Sequence, residues 1–429
     1  MTSYFPPDNH VGSWRWERLT RFMPADRFNV FVVTSDNNAD YSSSDFGINA
    51  LKEVRRVSSL YDLSFRKLYQ FLIRKRASIN APLSVDKSTG SHRGGLIHFR
   101  RWISLILDFP DFSWRGKKRF MIACDEIINS QQIDIIIASH PFVLPIRCAS
   151  LLSTKWNIPW IADMRDGWTG NLFSPYQDYP FLRYLLGLVE KKVLSTASKV
   201  VVINEQLAKT IKCREAQKVI ISNSYEEEKL TIEPNIREEG NPIKLVFTGG
   251  IKNKHLFRPF LDALKTHNDK DPNSIFLNYF GRDFAELSSY AQHIELDKNV
   301  LINHGYVSNT IAKDFSKKAD LLVIFGWNGP FGNTYQTGKI FDYMASGVPI
   351  LCIDNKESCL GSQIVNCRLG LTTVEPQEIV DFFRKIRTSK FFLSELRSNF
   401  DKTAIKAYSV NSTGKRYCEV IEELVSKSV

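Results

Sequence analysis

The chain has 429 residues, 43% apolar and 24% charged, which suffices for two domains of roughly 200 residues with their own cores and excludes wholesale disorder. Its net charge of +11 is lopsided: residues 1–224 hold 31 basic and 20 acidic side chains, residues 225–429 hold 26 of each, and residues 51–120 alone hold 16 against 5. No apolar stretch approaches the ~20 residues of a bilayer-spanning helix, Met1 opens no leader pattern, and the seven cysteines and eight histidines show no CxxC, HxxxH or HExxH spacing. The expectation is a soluble or peripheral cytoplasmic protein that keeps its N-terminus and has no metal site.

In chain order, short β-branched runs alternate with amphipathic stretches, the pattern of parallel sheets covered by helices on both faces. Strands are predicted at 28–34, 133–138, 158–162, 199–203 and 217–221, then at 243–248, 274–280, 299–303, 320–325 and 349–353. The fold class is α/β, with two doubly wound Rossmann-like domains in series. Residues 1–224 form the first. The acidic, Pro/Gly-punctuated segment 225–242 is a linker, and 243–404 form the second domain. Residues 405–429 hold a closing helix with Tyr417, Val420, Ile421 and Leu424 at helical spacing. The start is unusual, because Met1-Thr2-Ser3-Tyr4-Phe5 runs straight into Pro6-Pro7 where a full buried strand is expected. Either the first strand is a stub or the true start lies several residues upstream.

Within the basic segment, Phe65, Leu68, Tyr69 and Leu72 fall at helical spacing among Arg66, Lys67, Arg74, Lys75 and Arg76, and Phe99, Trp102, Ile103 and Ile106 repeat it beside Arg100 and Arg101. A basic face with an aromatic edge suits an anionic membrane surface. Two core-facing helices with solvated basic faces have the same spacing. Nucleic acid is not an expected partner, since no zinc finger, recognition helix or RNP-like strand is present.

Two segments carry the chemistry. Residues 5–15, FPPDNHVGSWR, read as a strand end, a loop with Gly12 and a helix opening near Ser13, whose free amides suit a phosphate. Residues 335–351, YQTGKIFDYMASGVPIL, read as a loop, a helix starting near Gly338 and a buried strand. The amides of Gly338 and Lys339 can meet a diphosphate, and Asp342, about 6 Å further along the helix, can accept from ribose hydroxyls. A glycine-started helix with Asp342 placed for its dipole fits the same letters. Asp269-Lys270-Asp271 is formally a DxD metal motif, but its polar context reads as a solvated turn.

The 335–351 segment resembles the donor-site segment of GT-B nucleotide-sugar glycosyltransferases, particularly the retaining family 4 type. DIIIASHP (134–141), IPWIADMRDGW (158–168), FTGGIKNKHLFRPFLDAL (247–264) and AYSVNSTGKRYCEVIEEL (407–424) resemble further segments of that family in order and spacing. The resemblance implies a GT-B architecture of two domains facing a cleft, with the closing helix crossing back to the first. Gly12 and Ser13 would approach the distal phosphate, and Lys254 would neutralise the diphosphate. Gly338 and Lys339 would cover the phosphates, and Asp342 would hold the ribose. Arg258 and Arg282 are further donor-side candidates, and His140 and Asp166, after predicted strands, are the candidate catalytic residues. Three departures stand out. Asp342 replaces the usual Glu, Gly250 stands where an Arg is common, and Thr334 stands where a carboxylate is common.

The expected function is sugar transfer from a nucleoside diphosphate sugar to a glycan or polyprenyl-linked acceptor in cell-surface polysaccharide assembly. Anomeric configuration would be retained, with no metal or other cofactor. Residues 51–120 would dock on the cytoplasmic face of an anionic membrane. A nucleotide-sugar epimerase of the same fold and a catalytically silent nucleotide-sugar-binding scaffold are the alternatives.

Overall fold

The computed structural model describes residues 1–6, 11–36, 48–58, 102, 105–106, 109–110, 116–171, 174–226, 240–251, 255–327, 334 and 336–427. The chain divides into two compact units, one of residues 1–203, 210–220 and 417–429 and one of residues 204–209 and 221–416. Most of the basic segment, including the 65–76 stretch and Arg100 and Arg101, lies outside the described residues, as does most of 225–242.

In the first unit, helix α1 (Val11–Phe22) precedes strands β1 (Val30–Asp36) and β2 (Leu51–Ser58), which pair in parallel. After α2 (Lys117–Ser130) come β3 (Ile136–Ser139), α3 (Val143–Trp156), β4 (Trp160–Met164), α4 (Pro180–Leu194), β5 (Lys199–Val202) and β6 (Lys218–Ile220), while α5 (Glu205–Thr210), between β5 and β6 in the chain, belongs up to Lys209 to the second unit. Strands β3 to β6 form a parallel sheet in sequence order. Strand β4 is buried along its whole length, as its continuous apolar run requires of a central parallel strand. Strand β2 was not predicted. Its segment LKEVRRVS carries charges and is half-buried, and Arg55 reaches Glu53 and Glu126. Among the described residues, part of the basic segment is therefore an edge strand, where charge is tolerated.

The two sheets meet at a seam of only a few residues. The amide of Thr2 donates to the Val33 carbonyl at 3.0 Å, the Met1 ammonium to the Ile137 carbonyl at 2.7 Å, and the Ser139 amide to the Met1 carbonyl at 3.0 Å. Met1–Thr2 is thus a strand stub between β1 and β3.

The second unit has β7 (Ile243–Thr248), α6 (Phe257–Asn268), β8 (Ile275–Phe280), α7 (Phe284–His293), β9 (Leu301–Gly305), α8 (Asn309–Lys317) and β10 (Leu321–Phe325). It continues with α9 (Lys339–Ser346), β11 (Ile350–Ile353), α10 (Cys359–Asn366), β12 (Gly370–Thr373), α11 (Pro376–Thr388), α12 (Phe392–Ser398) and α13 (Lys402–Lys406). Helix α14 (Val410–Ser426) begins here, and from Tyr417 onward belongs to the first unit. The six parallel strands order as β12-β11-β10-β7-β8-β9. Ile243, Leu245 and Phe247 pack with Phe260, Leu264 and Phe383 on one face, and Val246 packs with Ile340, Met344 and Ile364 on the other. The period-2 pleat sorts them so.

Candidate active site

Open parallel sheets bind ligands beyond the carboxyl ends of their strands, where the strand order reverses. In the first unit the reversal falls between the Met1–Thr2 stub and β3. In the second it falls between β7 and β10. Gly12, Ser13, His140 and Asp166 group around the first point, and Gly338, Lys339 and Asp342 around the second.

In the first unit Gly12 and Ser13 open α1, and Ser13 is fully buried with no partner for its hydroxyl. A Cβ on Gly12 would stand 2.7 Å from Nη1 of Arg165, so only glycine lets this guanidinium lie on the helix start. Arg165 also donates from Nε to the His140 carbonyl at 2.8 Å. Beneath them, Arg15 on α1 makes a buried fork to Asp163 on β4, with Nε at 3.1 Å and Nη2 at 2.9 Å from Oδ1, and the Ser139 hydroxyl adds a bond to Oδ2 at 3.1 Å. Asp166 is exposed beside Arg165.

His140 is buried, with its ring 6.0 Å from that of Trp168 and no partner for Nδ1. Burial, reinforced by the Arg165 charge, pushes its pKa down to about 3. At neutral pH this favours the uncharged imidazole. The loop bearing Asp166 and Trp168 is held by Glu190 on α4, which sequence reasoning missed. Its buried carboxylate accepts from the amides of Thr169 at 3.0 Å and Lys212 at 3.1 Å and from the Thr169 hydroxyl. A single acid after the apolar run LLGLV of helix PFLRYLLGLVEKKVL was the available signal.

In the second unit, β7 ends in a turn with Gly249 at φ +89°, a left-handed conformation that favours glycine. A Cβ there would meet Cε of Lys339 at 2.6 Å. Lys339, the first residue of α9, lays its ammonium 4.3 Å from the Phe247 ring centre and donates to the Gly250 carbonyl at 2.9 Å. The turn is clamped from the other side, where Asp283 accepts from the Ile251 amide at 3.1 Å. Gly250, one of the three departures, lies against that carboxylate. A Cβ there would approach Oδ2 to 2.8 Å, so the usual Arg has no room without rearrangement. Tyr343 anchors α9 to the same strand end by accepting from the Thr248 amide at 3.1 Å.

Asp342 faces a partner that the sequence did not announce, since Lys313 on α8 places Nζ 3.0 Å from Oδ1. A second unpredicted acid, Asp354, follows β11. It is buried and accepts from the Ser358 hydroxyl at 2.7 Å and the Asn355 amide at 2.9 Å, while desolvation raises its pKa. The carbonyl of Thr334 accepts from Nδ2 of Asn204 at 3.3 Å.

The structure thus brings together Gly338, Lys339, Asp342 and the 249–250 turn, and, separately, Gly12, Ser13, His140 and Asp166. Arg258 rests on the Tyr290 ring at 5.4 Å and Arg282 on the exposed Tyr306 ring at 4.1 Å. Lys254 lies outside the described residues. Asp269 and Asp271 of the DxD string pair with Lys265 at 3.1 Å and Arg387 at 2.7 Å. Among the described residues no helix is long and apolar enough to cross a membrane.

No protein-family model and no curated protein matches the chain. Solved structures do. Sucrose-phosphate synthase from Thermosynechococcus elongatus matches with TM-score 0.61 and 14% identity over 96% of this chain and 92% of its own. Anabaena HepE in complex with UDP and glucose matches with TM-score 0.58 and 12% identity over 98% of each. At such identities the likeness speaks for architecture alone, and that architecture is the GT-B fold of two Rossmann-like domains.

Proposed function

We propose that the chain is a glycosyltransferase that moves a sugar from a nucleoside diphosphate sugar to an acceptor, with the donor held by the second unit. The observation that carries this reading is Lys339, bonded to the Gly250 carbonyl at the carboxyl end of β7. A diphosphate at that strand end would meet a fixed cation together with the first amides of α9. Because leaving-group charge grows in the transition state, pre-placed positive groups stabilise it more than they stabilise the bound donor. Asp342, oriented by Lys313, would accept from the ribose hydroxyls. Asp269 and Asp271 of the DxD string are each paired with a cation, and the reaction proposed here uses no metal.

In the first unit, neutral His140 would hydrogen-bond the transferred sugar, and Asp166 would face an acceptor hydroxyl. The acceptor is a glycan or a polyprenyl-linked sugar, the enzyme works peripherally at the cytoplasmic face of an anionic membrane, and anomeric configuration is retained.

Radiolabelled UDP- and GDP-sugars incubated with and without a membrane extract test the proposal. Label should pass into polymeric or lipid-extractable product, and Lys339→Ala should abolish most of that transfer. Recovery of an epimerised donor would make the chain an epimerase. Donor binding without turnover in every extract would make it a scaffold.

A further inference from the structure

A cavity of about 610 Å³ lies within the first unit, and its shape follows from the seam of the sheet. One wall is the edge of β1, Val30–Val33, and the opposite wall is the edge formed by Ile133–Ile137. The Val30 amide donates to Ala50 and the Ile136 amide to Pro159, away from the cavity. Peptide groups of a parallel ladder alternate in direction, so Phe31 and Val33 on one side, and Ile135 and Ile137 on the other, turn theirs toward it. Trp16, Met23, Ile421 and Val425 line one face, and Cys124, Ile127, Ile128 and Leu152 the other. The cavity is therefore a place for one extended parallel strand, lined mainly by apolar side chains with Thr20, Arg27 and Glu422 among the polar ones.

Met1 stands at its end, already paired to both walls through Val33, Ile137 and Ser139. Its ammonium is enclosed by protein, which pushes its pKa down to about 6. A charged group is poorly suited to that position, whereas a peptide amide there would continue the ladder.

We propose that this cavity is a strand slot, and that its occupant is the stretch of roughly four to five apolar, mainly β-branched residues joined to the nitrogen of Met1 in the full-length polypeptide. Roughly four to five residues at about 3.3 Å each span the walls from Ala138 back to Ile133.

Three proteins test the slot: the 429-residue chain, the chain preceded by five alternating Val and Ile residues, and the chain preceded by five Gly and Ser residues. The apolar extension should raise the thermal-unfolding midpoint by ~5 °C or more and slow hydrogen exchange of the Phe31, Val33 and Ile137 amides roughly tenfold or more. The Gly/Ser extension should leave the midpoint within ~1 °C. Equal midpoints and exchange in all three would overturn the slot. Intact-mass analysis of the protein purified from its native cells tests the occupant and should place the N-terminus at least four residues before Met1. A native chain that begins at Met1 or Thr2 would overturn that assignment, whatever the extensions do.

Discussion

Both units put a cation over a glycine at the point where the strand order reverses, yet the two cations keep different company. Arg165 over Gly12 sits among the carboxylates of Asp163 and Asp166, and Arg15 beside it is bound to Asp163. Lys339 over Gly249 donates to a carbonyl oxygen and lies on the face of Phe247, and the Asp283 carboxylate beside the same turn accepts from the Ile251 amide. The first arrangement balances its charge internally and makes a rigid strand end. The second sets the Lys339 ammonium beside the first amides of α9 at the end of β7, where the proposed anionic donor would gain from both.

The comparison breaks most sharply at the buried pair. Replacing Arg15 by Met leaves the Asp163 carboxylate without its fork in a site both side chains share at 4% and 0% exposure. Stability should fall by ~3–5 kcal/mol, read as a lower midpoint in chemical denaturation, with nucleoside diphosphate affinity of the remaining folded protein unchanged. At Lys339 the expectation reverses. Lys339→Ala removes charge-assisted contacts worth ~1.5–3 kcal/mol to a diphosphate, so calorimetry should show affinity at least about tenfold weaker with little loss of stability. If Arg165→Ala weakens nucleotide binding more than Lys339→Ala, the contrast between the units is wrong.

A smaller effect comes from the seam. In the 429-residue chain prepared with a free amine at Met1, the folded pKa of that ammonium, about 6, lies below its ordinary 8.0, so between these values the unfolded chain binds a proton that the folded chain releases. Stability should therefore rise from pH 6 to pH 8. Met1 is half-buried, so solvent screens part of the effect, which should amount to about 1–2 kcal/mol. Acetylation of the terminus should remove that slope in pH-dependent thermal unfolding.

The smallest effects are expected at Arg258 and Arg282, whose exposed guanidinium groups lie on aromatic rings. Alanine at either position should cost ~0.5–1 kcal/mol of stability or less and leave donor affinity within about twofold. A larger loss of affinity at Arg282 would extend the cationic site to the end of β8.

The strands that form the two sheets were legible wherever their burial is continuous, as in IKLVFT and DLLVIF, because an apolar run needs no knowledge of its neighbours to declare itself. Strand β2 was not legible, since an edge strand half-exposed to water carries Lys52, Glu53, Arg55 and Arg56 and reads as part of a basic segment. The helix expected to start near Gly338 has Gly338 as its N-cap and Lys339 as its first residue, because glycine followed by an amphipathic run is a local signal.

Sequence by itself determined which residues alternate, which runs are buried on both sides and where glycine precedes a helix, since these are properties of a few consecutive positions. Only the tertiary structure decided that Asp163 belongs to Arg15, 148 residues away, that Lys313 orients Asp342, and that the stub at Met1 lies between β1 and β3. Those pairings follow from the order of strands in each sheet, a long-range arrangement set by packing that no local period encodes.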